Sequence, residues 1–167
     1  MRTVHWQSGS VMTLDTRLLP DRVEWLTLDD DRAVADAIRD MAVRGAPAIG
    51  AAAAFGLALA VRRELSDDPS AVTRSAQEAA GRLRAARPTA VNLFWAIDRQ
   101  RQIVDRFIGS NAREVKQLLE DEAIKIWRED QESCQKMGRL GAELIPPRAR
   151  ILTHCNAGAL ATAGYGT

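Results

Sequence analysis

At 167 residues, with 46% hydrophobic and 27% charged residues, the chain is long enough for one well-cored globular domain and not clearly for two. Its 23 basic and 22 acidic residues nearly cancel, which leaves no electrostatic case for nucleic acid or an anionic membrane surface as a partner. Two cysteines at unrelated positions, Cys134 and Cys155, argue against a disulfide framework or a metal cluster. Free thiols and four tryptophans fit a reducing cytosol, so a cytoplasmic protein is expected. The opening MRTVHWQSGSV lacks the basic and apolar regions of a signal peptide.

Thr3–Trp6, Val11–Leu18 and Arg22–Leu28 read as three short strands, with Leu19-Pro20-Asp21-Arg22 as a hairpin turn. Asp29-Asp30-Asp31 offers an N-cap and an acidic first turn to a helix with Val34, Ala37, Ile38 and Met41 on one face. Val43-Arg44-Gly45-Ala46 breaks that helix, and Pro47 suits the first turn of the next, which should run to about Leu65. Ala46 to Val61 holds no charged residue, yet it is mostly Ala and Gly and falls short of the ~20 apolar residues that span a bilayer. A buried core helix is expected, with no membrane contact. Alanine ahead of Pro47 has no side-chain oxygen to cap this helix, so its free amides must find water, backbone or a ligand. Arg44 beside that helix start makes a reasonable anion site, and a surface arginine beside an ordinary loop is the alternative.

Ser70 is expected to cap a polar, alanine-rich helix that ends near Ala86. Arg87 precedes Pro88 and should therefore project from a loop. Thr89 then caps a helix with Leu93, Ile97, Val104 and Phe107/Ile108 on one stripe. An Asn111…Glu114 capping pair opens a long helix through Val115, Leu118/Leu119, Ala123, Ile126, Met137 and Leu140. Cys134 falls inside it as a packing residue. Gly141 and Pro146-Pro147 end the helical region.

Arg150 to Thr167, RILTHCNAGALATAGYGT, reads as strand (Ile151–Thr153), glycine turn and helix start (Ala159–Ala163), the opening of a Rossmann-like βαβ unit. The expected architecture is thus α+β. A domain over residues 1–147, with a small antiparallel sheet and four or five helices, precedes the first strand-turn-helix of a Rossmann-like domain at 148–167. A parallel strand needs neighbours, so the chain reads as an N-terminal piece of a longer or split protein. A thiol at a helix N-terminus has its thiolate stabilised by the helix dipole, which makes Cys155 a candidate reactive residue; a small buried hydrophobe is the alternative. His154 and Cys155, adjacent on a strand, should face opposite ways, so no Cys–His pair is expected and His154 reads as structural. Gly158, Gly164 and Gly166 do not make a dinucleotide fingerprint, and no phosphate-binding loop ends in Lys-Ser/Thr, so no nucleotide cofactor is expected. What remains is one thiol and two loop arginines, Arg44 and Arg87, suited to a small phosphorylated substrate. Isomerase, lyase and transferase all stay open on these residues alone.

The stretches VRGAPAIG (43–50), RPTAVNLFWA (87–96) and LTHCNAGALAT (152–162) strongly resemble the methylthioribose-1-phosphate isomerase family, related to the regulatory subunits of the eukaryotic initiation-factor exchange complex. The resemblance covers essentially the whole chain. It implies a cofactor-free aldose–ketose isomerisation of 5-methylthioribose 1-phosphate to 5-methylthioribulose 1-phosphate in methionine salvage, performed by a homodimer. By motif it implies Cys155 as the catalytic cysteine and Arg44 and Arg87 as phosphate ligands. It implies Gly45, Ala46, Asn156, Ala157 and Gly158 as further substrate-binding positions in the same motifs. It also implies that the catalytic aspartate lies in a C-terminal Rossmann-like domain absent from these residues, so this chain alone should be inactive. Ribose-1,5-bisphosphate isomerase and a non-catalytic regulatory or scaffold subunit are the competing readings.

Overall fold

The computed structural model describes residues 2–106 and 111–167; the expected stripe positions Phe107 and Ile108 lie outside them. Three antiparallel strands, β1 (Val4–Gln7), β2 (Ser10–Leu14) and β3 (Trp25–Leu28), form a sheet in the order β1-β2-β3. Ser8 and Gly9, both with left-handed φ (52° and 85°), close the first hairpin, the geometry whose twist matches paired strands. The second strand ends four residues earlier than expected. Asp15 turns the chain there, accepting from the Arg17 amide at 3.1 Å and pairing with its guanidinium at 2.6 Å. That pairing holds the Asp15 carboxyl below its ordinary value. The expected turn at 19–22 exists inside a longer connection, tied by the Arg22 amide donating to the Leu18 carbonyl at 2.9 Å.

Five helices follow: α1 (Asp31–Arg39), α2 (Ala46–Arg63), α3 (Pro69–Ala86), α4 (Val91–Arg106) and α5 (Ala112–Ala142). The α+β class expected from the pattern is observed. Asp30 caps α1 through the Ala33 amide at 2.7 Å, and Asn111 caps α5 through the Arg113 amide at 2.9 Å. Two expected caps move. Asp68, not Ser70, caps α3, because a proline at the first helical position pushes the cap one residue upstream of it. At α4 the Ala90 carbonyl accepts from Leu93 and Phe94, so the exposed Thr89 stands one residue outside the cap.

Helix α2 is the core. Every residue from Ala48 to Val61 is buried, and the helix touches α1, α3, α4, α5, β1 and β2. By length and composition α2 could cross a bilayer, but 78% of it is buried against the other elements. Small side chains make that enclosure possible. A Cβ on Gly50 would lie 3.0 Å from the Asn92 carbonyl oxygen, and one on Gly56 would lie 3.0 Å from Val34. Side chains then lock the layers: Asp31 pairs with Arg82 at 2.6 Å between α1 and α3, and Trp127 donates to the Val4 carbonyl at 2.6 Å between α5 and β1.

Three apolar expectations fail at helix ends, one because its helix stops short and two because theirs outruns its neighbours. Met41 falls outside α1, which ends at Arg39 with Asp40 as its C-cap. Met137 and Leu140 are exposed because α5, about 46 Å long at 1.5 Å per residue, outruns the core beyond Cys134.

The tail departs furthest from expectation. Ile151–Thr153 is not a strand; Leu152 is 97% exposed, since the sheet lies elsewhere and offers this segment no ladder partner. Ala159–Ala161 forms a 3-10 turn instead of a helix start. Ala161–Gly164 then bury against the helical body, with the Thr3 hydroxyl donating to the Thr162 carbonyl and the Ala163 amide donating to Asp130 at 2.7 Å.

Candidate functional site

The start of α2 sets the geometry. Gly45 has φ 89°, and any Cβ there would sit 2.3–2.6 Å from the backbone of Ala161. Only glycine lets the 159–161 turn lie against this helix start. Gly45 also occupies the N-cap position without a side chain to offer, and its carbonyl accepts from Ile49 at 2.9 Å. Pro47 has no amide hydrogen, so Ala46 and Ala48 carry the first donors, which a helix leaves unpaired. Arg44 is exposed one residue upstream, and Arg87 is half-buried as the C-cap of α3, held out of the helical region ahead of Pro88 with φ −145° and ψ 85°.

An open cavity of about 620 Å³ brings these parts together. Arg44, Arg87, Asn92, His154, Cys155 and Asn156 line it, with Gly45 and Ala46 in its wall. A smaller cavity of about 320 Å³ shares Arg44, Gly45 and Asn156 and adds Ala157 and Thr16. Gly158 lines neither cavity. With φ 106° it shapes the loop instead, packed so closely against Gly166 that a side chain on Gly166 would strike it.

Among the described residues, no carboxylate lies within 4.0 Å of either guanidinium, although eight other arginines hold such pairs. No cluster of three metal-ligating side chains is found among the described residues. Left-handed backbone gathers at the cavity as well: Met41 (φ 62°), Gly45 (φ 89°) and Cys155 (φ 65°) all line it. Non-glycine residues held there cost energy and collect where function over-determines the backbone.

The two thiols are in opposite settings. Cys134 is buried in α5, and burial, followed by the charge of Asp130, pushes its thiol up. Cys155 is exposed at the cavity. The α-helix expected to begin beside Cys155 is not formed, so its placement rests on the loop and not on a helix dipole. His154 is exposed and lines the same cavity as Cys155; without a strand, the alternation that would have separated them does not apply.

Asp130 escaped the sequence reading. It looks like one more charge on the polar face of α5, yet it anchors the Ala163 amide and hence the turn against Gly45. Burial holds its carboxyl above the ordinary value, an effect partly offset by that amide. Nothing local in the sequence marks it, because its partner is 33 residues away.

Residues 42–163, which carry both arginines and Cys155, match the initiation factor 2 subunit family. The chain belongs to that family. Among members of known name, the methylthioribose-1-phosphate isomerase of Geobacter metallireducens is 46% identical over 99% of this chain and 48% of its own length. That of Alkalilimnicola ehrlichii is 48% identical over 100% of this chain and 47% of its own. The crystal structure of 5-methylthioribose 1-phosphate isomerase from Pyrococcus horikoshii superposes with a TM-score of 0.94 at 44% identity, covering 99% of this chain and 46% of that one. Translation initiation factor eIF-2B, subunit delta, from A. fulgidus superposes at 0.87 and 40% identity, over 99% and 48%. The chain therefore spans about half the length of the family members it matches.

Proposed function

We propose that this chain forms the phosphate- and thiol-bearing part of an aldose–ketose isomerase acting on 5-methylthioribose 1-phosphate, a step of methionine salvage. The observation that carries the reading is that Arg44, Arg87 and Cys155 line one cavity without a carboxylate to quench the arginines. The isomerase names of family members about 45% identical along the whole chain support it.

In this reading Arg44 and Arg87 clamp the phosphate with charge-assisted hydrogen bonds, helped by the free amides of the α2 start. Gly45 and Ala46 let the phosphate approach the backbone, and Asn156, Ala157 and Gly158 shape the loop around the sugar. Cys155 takes the proton from C2 and returns it to C1, while the bond from C1 to the ring oxygen breaks, the C2 hydroxyl proton passes to that oxygen and C2 becomes the carbonyl. The aldose thus becomes a ketose with no net gain or loss of atoms. Neither a cofactor nor a metal enters this step. The family members' second half, about as long again, would supply a Rossmann-like domain that closes the cavity from water and contributes a carboxylic acid as proton partner. Residues 1–167 alone are then expected to be inactive, and the working protein to be a homodimer.

Turnover decides between this reading and a non-catalytic family role like that of an initiation-factor subunit. In the longest natural polypeptide containing this chain, 5-methylthioribose 1-phosphate should isomerise, and Cys155→Ser should abolish turnover while leaving the melting temperature unchanged. An active serine variant would remove Cys155 from the mechanism.

A further inference from the structure

Met41 occupies a position where a side chain works against the fold. It directly follows the C-cap of α1 with φ 62°, the left-handed turn after a helix that ordinarily takes glycine. The backbone there is pinned: the Met41 amide donates to Ile38 at 3.3 Å, and the Thr16 hydroxyl donates to the Met41 and Ala42 carbonyls at 3.2 and 3.0 Å. The side chain is 44% exposed, so packing repays that strain only in part. Val91, the first residue of α4, is 76% exposed. Single exposed apolar residues need no explanation. These two, however, line the same 620 Å³ cavity as Arg44 and Arg87.

One cavity thus offers two guanidinium groups for an anion and two solvent-facing apolar side chains the fold does not require. We propose that Met41 and Val91 are the specificity-determining apolar subsite, which selects a sugar 1-phosphate carrying an alkylthio group at C5 over one carrying a hydroxyl or a second phosphate. The inference rests on the isomerase reading above and deepens it. Methionine's unbranched, polarizable thioether adapts well to another thioether. A C5 phosphate would have to desolvate against Met41 and Val91, whereas the methylthio group gains from leaving water.

The test compares kcat/KM for 5-methylthioribose 1-phosphate and ribose 1-phosphate in the longest natural polypeptide, unsubstituted and as Met41→Gly and Val91→Ser. The thioether substrate should be preferred, and each substitution should cut the preference about 10-fold or more, the scale of a lost apolar contact in a pocket. The cut should fall mainly on KM of the thioether substrate. Met41→Gly should melt at the same temperature or higher, because glycine relieves the left-handed strain. Unchanged preference in both variants would overturn the subsite. So would a Met41→Gly protein that loses both substrates equally and melts earlier, which marks a structural residue. If the unsubstituted protein turns over neither substrate, the isomerase reading itself fails and the subsite falls with it.

Discussion

A methyl group on Gly45 would sit 2.3 Å from the Ala161 carbonyl oxygen, and the backbone there has φ 89°. Gly45→Ala therefore combines a left-handed penalty of about 1–2 kcal/mol with a collision between two backbones. Urea denaturation should show a loss at least that large, together with weakened binding at the cavity. Asp130 gives a prediction of opposite sign. Its carboxyl is held above the ordinary aspartate value, chiefly by burial, so the folded state binds that proton more tightly than the unfolded chain does. Its contribution to stability is therefore present at acid pH and is lost as pH rises through the raised folded value. Asp130→Asn, which can still accept from Ala163, should melt at the same temperature or higher at neutral pH. It should also flatten the dependence of melting temperature on pH above pH 4. A large loss of stability at pH 7 would mean that the charge itself holds the turn.

Among the elements, the apolar periodicity of α1 and α4 and the acidic caps ahead of α1 could be read from the sequence, because those signals are local. The tight packing of α2 was legible as well, in its run of small residues. Gly50→Val tests it: the β-branched side chain would meet the Asn92 carbonyl of α4, which lies 3.0 Å from where a Cβ would stand. Overpacking of this kind costs about 1–3 kcal/mol. It should also displace the first turn of α4, which carries Val91 and Asn92 into the cavity, so circular dichroism melting and ligand affinity should fall together. The strand expected at Ile151–Thr153 was misread because a short β-branched run carries no information about whether a partner strand exists. The helix expected at Ala159 failed likewise: its small residues serve close contact with Gly45 and Asp130, not helix propensity.

At the scale of the whole molecule, the sheet, the five helices and the two arginine loops are what the pattern of the chain implies. What only three dimensions supply is the convergence. Arg44 and Arg87 are 43 positions apart and Cys155 a further 68, and they meet because α2 is sheathed by α3, α4 and the tail at its N-terminal end. Asp130 and Met41 were illegible for the same reason, since each acts through a neighbour remote in sequence or through a strained turn that composition does not reveal. In the proposed function both guanidinium groups hold one phosphosugar. Calorimetric titration of 5-methylthioribose 1-phosphate into the longest natural polypeptide, unsubstituted and as Arg44→Ala and Arg87→Ala, tests it most directly. Each variant should lose about 1.5–3 kcal/mol of binding, roughly 10- to 150-fold in Kd, with an unchanged melting temperature. Either variant binding as tightly as the unsubstituted protein would contradict it.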